Sequence, residues 1–261
     1  MTMTNANHEF VRIAGQGLIA EVTLARPPVN AVNQVMYGEI HDVFSRIREY
    51  APEARLVILA GEGRHFCGGN ELHEFETLTP ENCAERMLQV RQAFWAIYDC
   101  ELPVIAAVRG VAVGTGLAIA ASCDFVIAAQ GAQFGLPELS VGAMGGARHL
   151  ARLVPEPYVR WMFYSADPVQ AETLARIGGV VEVVPDAELL ERARERALRI
   201  VRHSPIALRL AKQTLNTIEP MELKPGYEYE QQMTGELCGY RDAKEAVRAF
   251  FERREPQYVG E

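Results

Sequence analysis

Residues 102–129 read LPVIAAVRGVAVGTGLAIAASCDFVIAA, and the pattern of this stretch is the main indication of the fold class. Val104–Val108 is a short apolar run that predicts a buried strand. Further along, the glycine turn Gly114-Thr115-Gly116 leads into the small-residue helical run Leu117–Ser122. Cys123–Ala128 then predicts another buried strand. A strand, a glycine turn, a helix and a further strand indicate repeated β–α units, and therefore an α/β fold.

The same alternation continues on both sides of this stretch. Towards the N-terminus, the sequence predicts strands at Ile19–Leu24 and Leu56–Ala60, a helix capped by Asn33, and a second helix that opens at Thr79-Pro80. After residue 150 the pattern is almost purely helical. The elements predicted there are helices over Ala171–Ile177, Leu189–Arg202, Ile206–Thr217 and Asp242–Arg253, and one short strand over Val180–Val184. We therefore predict a β/α core followed by a C-terminal helical portion.

The composition argues against several classes of protein. The chain has 261 residues, of which 49% are hydrophobic and 23% charged, so it can bury a large core and is not disordered. Its net charge of −8 argues against a dedicated binder of nucleic acid or of a membrane surface, since both need a basic contact face. Arg and Lys nevertheless outnumber acidic residues over 186–212 and 241–254, which leaves room for a local site for a small anionic ligand.

Cysteine usage and the N-terminal sequence favour the cytoplasm. The five cysteines are scattered and form no CxxC pair, so we expect neither a disulfide framework nor a cysteine-type zinc site. No set of His, Asp and Glu residues has the spacing of metal ligands, and we predict no metal. The first ten residues, MTMTNANHEF, lack the features of a signal or transit peptide, and no apolar run approaches the ~20 residues that span a bilayer. We expect a soluble cytoplasmic protein.

Two glycine turns are candidate binding elements. Eight of the 21 glycines fall between Gly110 and Gly146, a density that suits tight turns between packed layers and also close approach of backbone to a ligand. At Gly114-Thr115-Gly116, a strand–turn–helix junction points free N–H groups at one spot, where a phosphate or a developing oxyanion can be held. Phe66-Cys67-Gly68-Gly69-Asn70 follows another strand in the same way. Neither turn matches the dinucleotide fingerprint GxGxxG, and the motifs GxxxxGK[ST] and GxSxG are absent.

Five segments of the chain together resemble the crotonase superfamily, the enoyl-CoA hydratase/isomerase family. Three of them match in order and spacing: RHFCGGNEL (64–72), the stretch 102–129, and AQFGLPELSVGAMGG (132–146). LARPPVNAVN (24–33) and AVRAFFERREPQYVG (246–260) also look like terminal signatures of that family. The resemblance covers essentially the whole chain and is far more specific than any one glycine motif.

The resemblance implies a fold and an assembly. The implied fold is α/β, with a crotonase-like spiral of ββα turns over residues 1–200 and a C-terminal helical oligomerisation region over 201–261. The implied assembly is a homotrimer or a dimer of trimers. The implied substrate is an acyl-CoA thioester, and the implied activity is hydration or double-bond isomerisation of an enoyl-CoA. No separate cofactor is implied, because CoA is part of the substrate.

In this family two backbone N–H groups bind the thioester oxygen, and the motifs place these donors at Asn70 and Thr115. Gly69, Gly114 and Gly116 flank the two donors and are implied to line the substrate site. Thr115 stands where the family commonly has glycine, but a backbone N–H survives any side chain. The interpretation of the two turns from the residues agrees with this assignment, because both turns would point N–H groups at one acceptor.

Glu138 matches one of two glutamates with which hydratases of this family transfer protons. A carboxylate that leaves an apolar run can be partly desolvated and suited to proton transfer, although without the resemblance an exposed turn residue is the default interpretation. The second family glutamate falls at Ala118. A single acid/base puts ordinary hydratase activity in doubt and fits a double-bond isomerase, or activation of water by one carboxylate. The loop Gly142–Gly146 is shorter than in many hydratases, which indicates a different acyl pocket.

Five further residues are implied to lie near the substrate. Arg26 lies at an early CoA-contacting turn and could pair with phosphate, and His73 stands where many members place a cation. Glu71 follows the first N–H donor, where we expect it to hold the loop. Phe250 and Arg254 lie on a segment that in relatives encloses the adenine end of CoA, sometimes from a neighbouring subunit. An amphipathic helix with a solvated basic face would give the same pattern there.

Two other classes of protein stay open. Ser122 lies in the neighbourhood where a peptidase of the related caseinolytic protease fold has its nucleophile, but the motif around Glu138 argues against that class. Ala118 leaves open a non-catalytic subunit that binds acyl-CoA. His65 and His149 flank the two loops and could supply a second proton-transfer group, although each is more often a surface or capping histidine. The acyl group itself cannot be read from the sequence.

Overall fold

The computed structural model describes residues 2–3 and 8–260, and within them seven strands form one sheet. In order across the sheet, and numbered along the chain, they are β1 (Thr2–Met3), β2 (Val11–Gln16), β3 (Ile19–Leu24), β4 (Leu56–Gly61), β5 (Val104–Val108), β7 (Phe125–Ala129) and β10 (Glu182–Val184). Strands β1, β2 and β3 pair antiparallel, and the sheet is parallel from β3 to β10. The parallel part confirms the predicted β–α units.

A second, three-stranded sheet holds β6 (Val111–Val113), β8 (Gln133–Gly135) and β9 (Val169–Gln170). Single bridges from Cys67 to Ala112 and from Val32 to Asn70 extend it. Strands β5 and β6 are consecutive but belong to different sheets, and so do β7 and β8. Two strands in different sheets followed by a helix form the repeating unit, so the chain winds as the ββα spiral that the resemblance implied. Both glycine turns lie at the second sheet.

Twelve α-helices are present in the described residues. They are α1 (Gln34–Ser45), α2 (Ile47–Tyr50), α3 (Leu72–Phe75), α4 (Pro80–Tyr98), α5 (Thr115–Ser122), α6 (Ala147–Leu150), α7 (Glu156–Ser165), α8 (Ala171–Arg176), α9 (Leu189–Val201), α10 (Pro205–Ile218), α11 (Leu223–Cys238) and α12 (Arg241–Glu252). The predicted caps are confirmed, because Asn33 accepts the N–H of Met36 and Thr79 forms a reciprocal capping box with Asn82. None of these helices is long and apolar enough to cross a membrane.

The central parallel strands β4, β5 and β7 are buried on both faces of the large sheet, which explains why they read as unbroken apolar runs. In β4, Val57 and Leu59 belong to the main core on one side of the sheet, where α1, α4 and α5 pack. Leu56 and Ile58 belong to a smaller core on the other side, which is completed by α9 through Leu189, Ala193, Ala197 and Val201. Helices therefore cover both faces of the parallel strands.

The C-terminal helices α10, α11 and α12 follow α9, and the helical pattern predicted α10 and α12. Helix α10 is joined to the core by Lys212, whose buried ammonium group donates to Asp124 Oδ2 at 2.9 Å and to the carbonyl of Leu102 at 3.1 Å. A buried cation needs such partners, because desolvation would otherwise be costly. The exact division of the chain at residue 200 stays a prediction.

One predicted strand needs correction, and two parts of the structure have no matching prediction. The strand predicted at Cys123–Ala128 begins at Phe125, because Cys123 closes α5 and the Asp124 carboxylate accepts the N–H of Val104 at 2.6 Å. The three strands of the second sheet have only two or three residues each, too few for a periodic pattern, and were not predicted. Helix α11 was not predicted either, since Pro225-Gly226 suggests a turn, but proline fits within the first turn of a helix.

Candidate active site

The first glycine turn lies between β6, to which Cys67 is bridged, and Val32, to which Asn70 is bridged. The N–H of Val32 donates to Gly69 O at 2.8 Å, and the N–H of Glu71 donates to Val32 O at 2.9 Å. Because hydrogen-bonding groups alternate along an extended chain, the N–H of Asn70 points away from Val32, towards the side where β6 ends. Within residues 2–3 and 8–260, no protein acceptor takes this N–H. It is thus free to bind a ligand.

The second glycine turn supplies a second free N–H. Thr115 is the first residue of α5, so its N–H has no partner inside the helix. The preceding Gly114 has φ +55° and ψ −121°, a conformation for which glycine is the suitable residue. A Cβ on Gly114 would lie only 3.7 Å from Gly69 Cα, so the two glycine turns are in close contact. The N–H groups of Asn70 and Thr115 therefore lie in adjacent turns.

Glu138 stands beside these turns, at the start of a 3₁₀ turn (Glu138–Val141) that follows β8. Its Oε1 lies 2.9 Å from the position that a Cβ on Gly114 would occupy. Its Oε2 is buried, and no partner for it lies in the described part of the chain. Burial raises the pKa of the Glu138 carboxyl above its ordinary value. A carboxyl with these properties holds its proton to a higher pH than an ordinary glutamate, which suits it to taking up and releasing a proton.

Two cavities meet at this point, and Asn70, Gly114 and Glu138 line both. The larger cavity has a volume of about 780 Å³ and also touches Arg26 and His73. The smaller cavity, of about 450 Å³, extends over the N-terminus of α5 and against α4. Apart from Asn70, Thr115 and Glu138, its wall is formed by apolar side chains and glycines, including Phe75, Leu78, Cys83, Met87, Val90, Phe94, Ala118 and Met144. The polar groups thus lie between an open cleft and an apolar pocket.

Comparison with known proteins identifies the family. The family model for enoyl-CoA hydratase/isomerase matches residues 14–261. The chain belongs to this family. It is 38% identical over 221 residues to the (7aS)-7a-methyl-1,5-dioxo-2,3,5,6,7,7a-hexahydro-1H-indene-carboxyl-CoA hydrolase of Rhodococcus jostii, which covers 84% of this chain and 85% of that protein. It is 34% identical over 244 residues to the short-chain-enoyl-CoA hydratase of Clostridium acetobutylicum, covering 92% and 93% of the two chains.

Solved structures agree with this assignment. The crystal structure of an enoyl-CoA hydratase from Bacillus anthracis superposes with a TM-score of 0.90 at 30% identity and covers 97% of this chain and 100% of that chain. The predicted membership of the crotonase superfamily and the predicted fold are therefore confirmed. This member of the enoyl-CoA hydratase/isomerase family is an enzyme, since its relatives process acyl-CoA compounds.

Arg26 and Glu71 are paired with each other at the wall of the larger cavity. Arg26 Nη2 donates to Glu71 Oε2 at 2.7 Å, and Nη1 donates to Ala31 O at 2.9 Å. This pairing lowers the pKa of the Glu71 carboxyl, which also accepts the N–H of His73 at the start of α3. Arg26 thus braces the loop after Asn70, and its pairing with a phosphate stays a prediction. The His73 side chain is 88% exposed at the mouth of the cavity.

The structure does not bring Phe250 and Arg254 to either cavity. Phe250 is 79% exposed on α12, and Arg254 is turned back to form ion pairs with Glu245 at 2.5 Å and Glu252 at 2.6 Å. Within the described part of this chain, the expectation that they line the substrate site is therefore not met. Contact from a neighbouring subunit stays a prediction, as does the trimeric assembly itself.

None of Ala118, Ser122 and His149 supplies a second acid/base beside Glu138. Ala118 is buried in α5, one turn after Thr115, and adds a methyl group to the apolar pocket. Ser122 Oγ donates to Ala118 O at 2.8 Å, so its hydroxyl is used inside the helix. His149 packs against Phe94, and burial lowers its pKa to about 4, which keeps its ring neutral.

His65, the other histidine considered, packs beside Gly110 and lines neither cavity. In residues 2–3 and 8–260 no three His, Cys, Asp or Glu side chains cluster in a way that could hold a metal ion. The expectation of no metal stays a prediction, and so does the expectation of no cofactor.

Two residues near the site were missed by the sequence analysis. Asn30 is fully buried at φ +55°, where it accepts the N–H of Arg26 and donates to the carbonyls of Glu62 and His65. Asparagine adopts this backbone conformation more readily than most residues, but that preference alone does not identify a site. Tyr37 forms hydrogen bonds with the side chains of the two N–H donors. In the sequence, its only signal is that it is an aromatic residue beside the buried face of α1.

Proposed function

We propose that this enzyme binds an acyl-CoA thioester with its carbonyl oxygen between the N–H groups of Asn70 and Thr115. Glu138 removes a proton from the acyl chain, the negative charge passes to the thioester oxygen, and the two N–H groups stabilise the resulting enolate. The observation that carries this proposal is the Glu138 carboxyl beside two backbone N–H groups: within residues 2–3 and 8–260, its buried Oε2 has no partner and neither N–H has a protein acceptor.

A single carboxyl accounts for a complete reaction. In double-bond isomerisation, Glu138 takes a proton from the γ-carbon and returns it to the α-carbon, or the reverse, and the dienolate between the two steps is held by the same N–H groups. In hydration, the one carboxyl takes a proton from water while the hydroxide adds to the β-carbon, and it then delivers the proton to the α-carbon of the resulting enolate. The raised pKa of Glu138 suits both steps, because the group must accept and then release the same proton.

The two cavities divide the substrate between them. The open cleft with Arg26 and His73 would take the pantetheine and phosphate portion of CoA, and the apolar pocket would take the acyl group. Ala118 enlarges that pocket and removes a charge from it. We propose a bulky, mostly apolar acyl group, such as an alicyclic one, as the substrate class. The name of the Rhodococcus relative, which includes a bicyclic dione, supports this choice.

Hydrolytic ring opening is a second candidate function, favoured by the same relative and by the lone carboxyl. In a cyclic β-keto acyl-CoA, Glu138 would take a proton from water while the hydroxide adds to the ring ketone. The bond from that carbon to the α-carbon then breaks, and its electron pair becomes the thioester enolate. Glu138 returns the proton to the α-carbon, which leaves a carboxylic acid. No second acid/base is needed.

A panel of thioesters distinguishes these possibilities. The purified protein is incubated in D₂O with crotonyl-CoA, aromatic and alicyclic enoyl-CoA esters and a cyclic β-keto acyl-CoA, and the products are identified by mass spectrometry. Addition of water, a shifted double bond with deuterium at carbon, and ring opening report hydration, isomerisation and hydrolysis. If no ester exchanges a proton or changes mass, the proposal fails, and the result supports the alternative of a non-catalytic subunit that binds acyl-CoA.

A further inference from the structure

Tyr37 is a buried tyrosine whose hydroxyl group touches both turns of the site. It lies in the first half of α1 and is 3% exposed. Its hydroxyl donates to Asn70 Oδ1, and its oxygen lies 2.8 Å from Thr115 Oγ1. Asn70 and Thr115 belong to different turns, and each carries one of the N–H groups assigned to the thioester oxygen. One hydroxyl therefore joins the side chains of the two donor residues.

The direction of these hydrogen bonds is fixed by chemistry. A carboxamide oxygen only accepts, so the O–H of Tyr37 points to Asn70. The tyrosine oxygen is then free to accept, so the hydroxyl of Thr115 donates to Tyr37. Burial raises the pKa of Tyr37, which keeps the group protonated and the chain of two bonds intact. Consecutive hydrogen bonds of this kind strengthen one another.

Tyr37 is itself held firmly. Its N–H donates to the carbonyl of Asn33, which caps α1, and its ring packs edge-to-face against Phe94 of α4 at 6.2 Å between centroids. The helices α1 and α4 pack closely along the main core. The hydroxyl group thus belongs to a rigid part of the fold, whereas the two donors lie on turns.

The backbone contacts between the two turns are made by residues that neighbour the two donors. Cys67 exchanges hydrogen bonds with Val111 and Val113 at 3.0 and 3.1 Å, and the Cα of Gly116 packs against Cys67. These contacts fix one end of each turn. The hydrogen bonds of Tyr37 reach Asn70 and Thr115 themselves, and they connect both to α1.

We propose that Tyr37 is a positioning residue that sets the distance between the N–H groups of Asn70 and Thr115. The inference rests on the proposed function of those two groups. An oxyanion site stabilises its transition state only if both donors lie about 2.7–3.1 Å from the developing charge before the reaction begins. Because the bridge uses the hydroxyl of Thr115, it depends on the side chain that this chain has in place of the family's common glycine.

The test compares Tyr37→Phe with two other variants. Thr115→Ala removes the bridge from its other end, and Thr115→Ser keeps a hydroxyl there. Tyr98→Phe is the matched control, since it removes a tyrosine hydroxyl that bonds to Asn216 O at 3.1 Å and lines neither cavity. We measure kcat, KM and thermal unfolding for each, using an ester that the wild-type protein converts.

We expect Tyr37→Phe and Thr115→Ala to lower kcat about 10- to 100-fold, less than the 10²–10³-fold that loss of a whole donor costs. We expect KM to stay within about threefold, because ground-state contacts are kept. The double variant should be no slower than the slower single variant, since both changes remove one bridge. Tyr98→Phe should keep the wild-type kcat, and Thr115→Ser, which keeps the bridging hydroxyl, should be faster than Thr115→Ala. An unchanged kcat in Tyr37→Phe, or a loss confined to KM, overturns the inference.

A chromophoric ligand separates this inference from the proposed function. The absorption of a bound dimethylaminocinnamoyl-CoA shifts to longer wavelength when its thioester oxygen is polarised by hydrogen bonds. If the wild-type protein gives no shift, the proposed role of Asn70 and Thr115 fails, and the inference fails with it. If the wild-type protein gives a shift and Tyr37→Phe gives the same one, only the inference fails. A smaller shift in Tyr37→Phe supports it.

Discussion

The carboxylate of Glu138 lies directly against Gly114, since its Oε1 is 2.9 Å from where a Cβ on Gly114 would be. Gly114 therefore serves two purposes at once. Its left-handed backbone turns the chain so that the N–H of Thr115 is free, and its lack of a side chain admits the carboxylate beside that N–H. The carboxylate and the N–H group to which we assign proton transfer and anion binding are adjacent because one residue has no Cβ.

We expect Gly114→Ala to impair both purposes. The positive φ costs about 1–3 kcal/mol of unfolding free energy in a residue with a Cβ, and the new methyl group displaces the Glu138 carboxylate. Turnover should fall at least about tenfold. Gly38→Ala is the matched control: Gly38 is exposed in α1 with nothing within 4 Å of a new Cβ, and alanine there should stabilise by about 0.4–1 kcal/mol. Wild-type turnover and stability in Gly114→Ala would contradict this account.

Replacement of Glu138 by glutamine tests its role as the acid/base. The amide keeps the size of the side chain but cannot exchange a proton, so we expect turnover to fall by about 10²–10⁴-fold while binding of the CoA ester persists. Binding is measured by calorimetry, and turnover by product formation. Glu53→Gln, at an exposed turn, is the control and should match the wild-type protein. Full turnover in Glu138→Gln would remove Glu138 from the mechanism.

Glu138 and Gly114 show which parts of the site could be predicted from the sequence. Glu138 and Gly114 were both predicted site residues, because the motifs around them are local in sequence and the resemblance supplied their roles. Their contact across 24 positions depends on the pairing of β6 with β8, strands of three residues each that carry no periodic signal. The long parallel strands were readable, because complete burial gives unbroken apolar runs.

Tyr37 shows what the sequence could not provide. Its neighbours Met36 and Ile40 mark the buried face of α1, and an aromatic residue beside them is an ordinary core residue by pattern. What distinguishes Tyr37 is the pair of residues to which its hydroxyl group bonds, and tertiary packing alone determines that pair. The pairing of Arg26 with Glu71 could not be predicted for a related reason, since it joins residues 45 positions apart.

The pH dependence of turnover should reflect the raised pKa of Glu138. As a base, the group is active in its ionised form, so kcat/KM should fall as pH decreases through a pKa above the ordinary 4.5. The sign for stability is opposite. Between the pKa of the unfolded chain and that of the folded protein, only the folded state keeps the proton, so stability decreases as pH rises through this interval.

Two measurements check these signs. A kcat/KM profile for the wild-type protein gives the kinetic pKa, and urea unfolding at several pH values gives the stability difference between the wild-type protein and Glu138→Gln. We expect the wild-type protein to lose stability relative to Glu138→Gln as pH rises above the ordinary glutamate pKa. A kinetic pKa at or below that value, with no change in relative stability, would mean that burial does not perturb this carboxyl.

Replacement of Ala118 tests whether the lack of a second carboxyl limits hydration. We expect Ala118→Glu to raise hydration of crotonyl-CoA about tenfold or more, because a second carboxylate can share the proton transfers. Ala118→Gln is the matched control, since it adds the same bulk without an ionisable group. Both variants fill part of the apolar pocket, so both should slow turnover of a bulky alicyclic ester. A gain shared by both variants, or absent from Ala118→Glu, would show that pocket shape rather than a missing acid/base limits hydration.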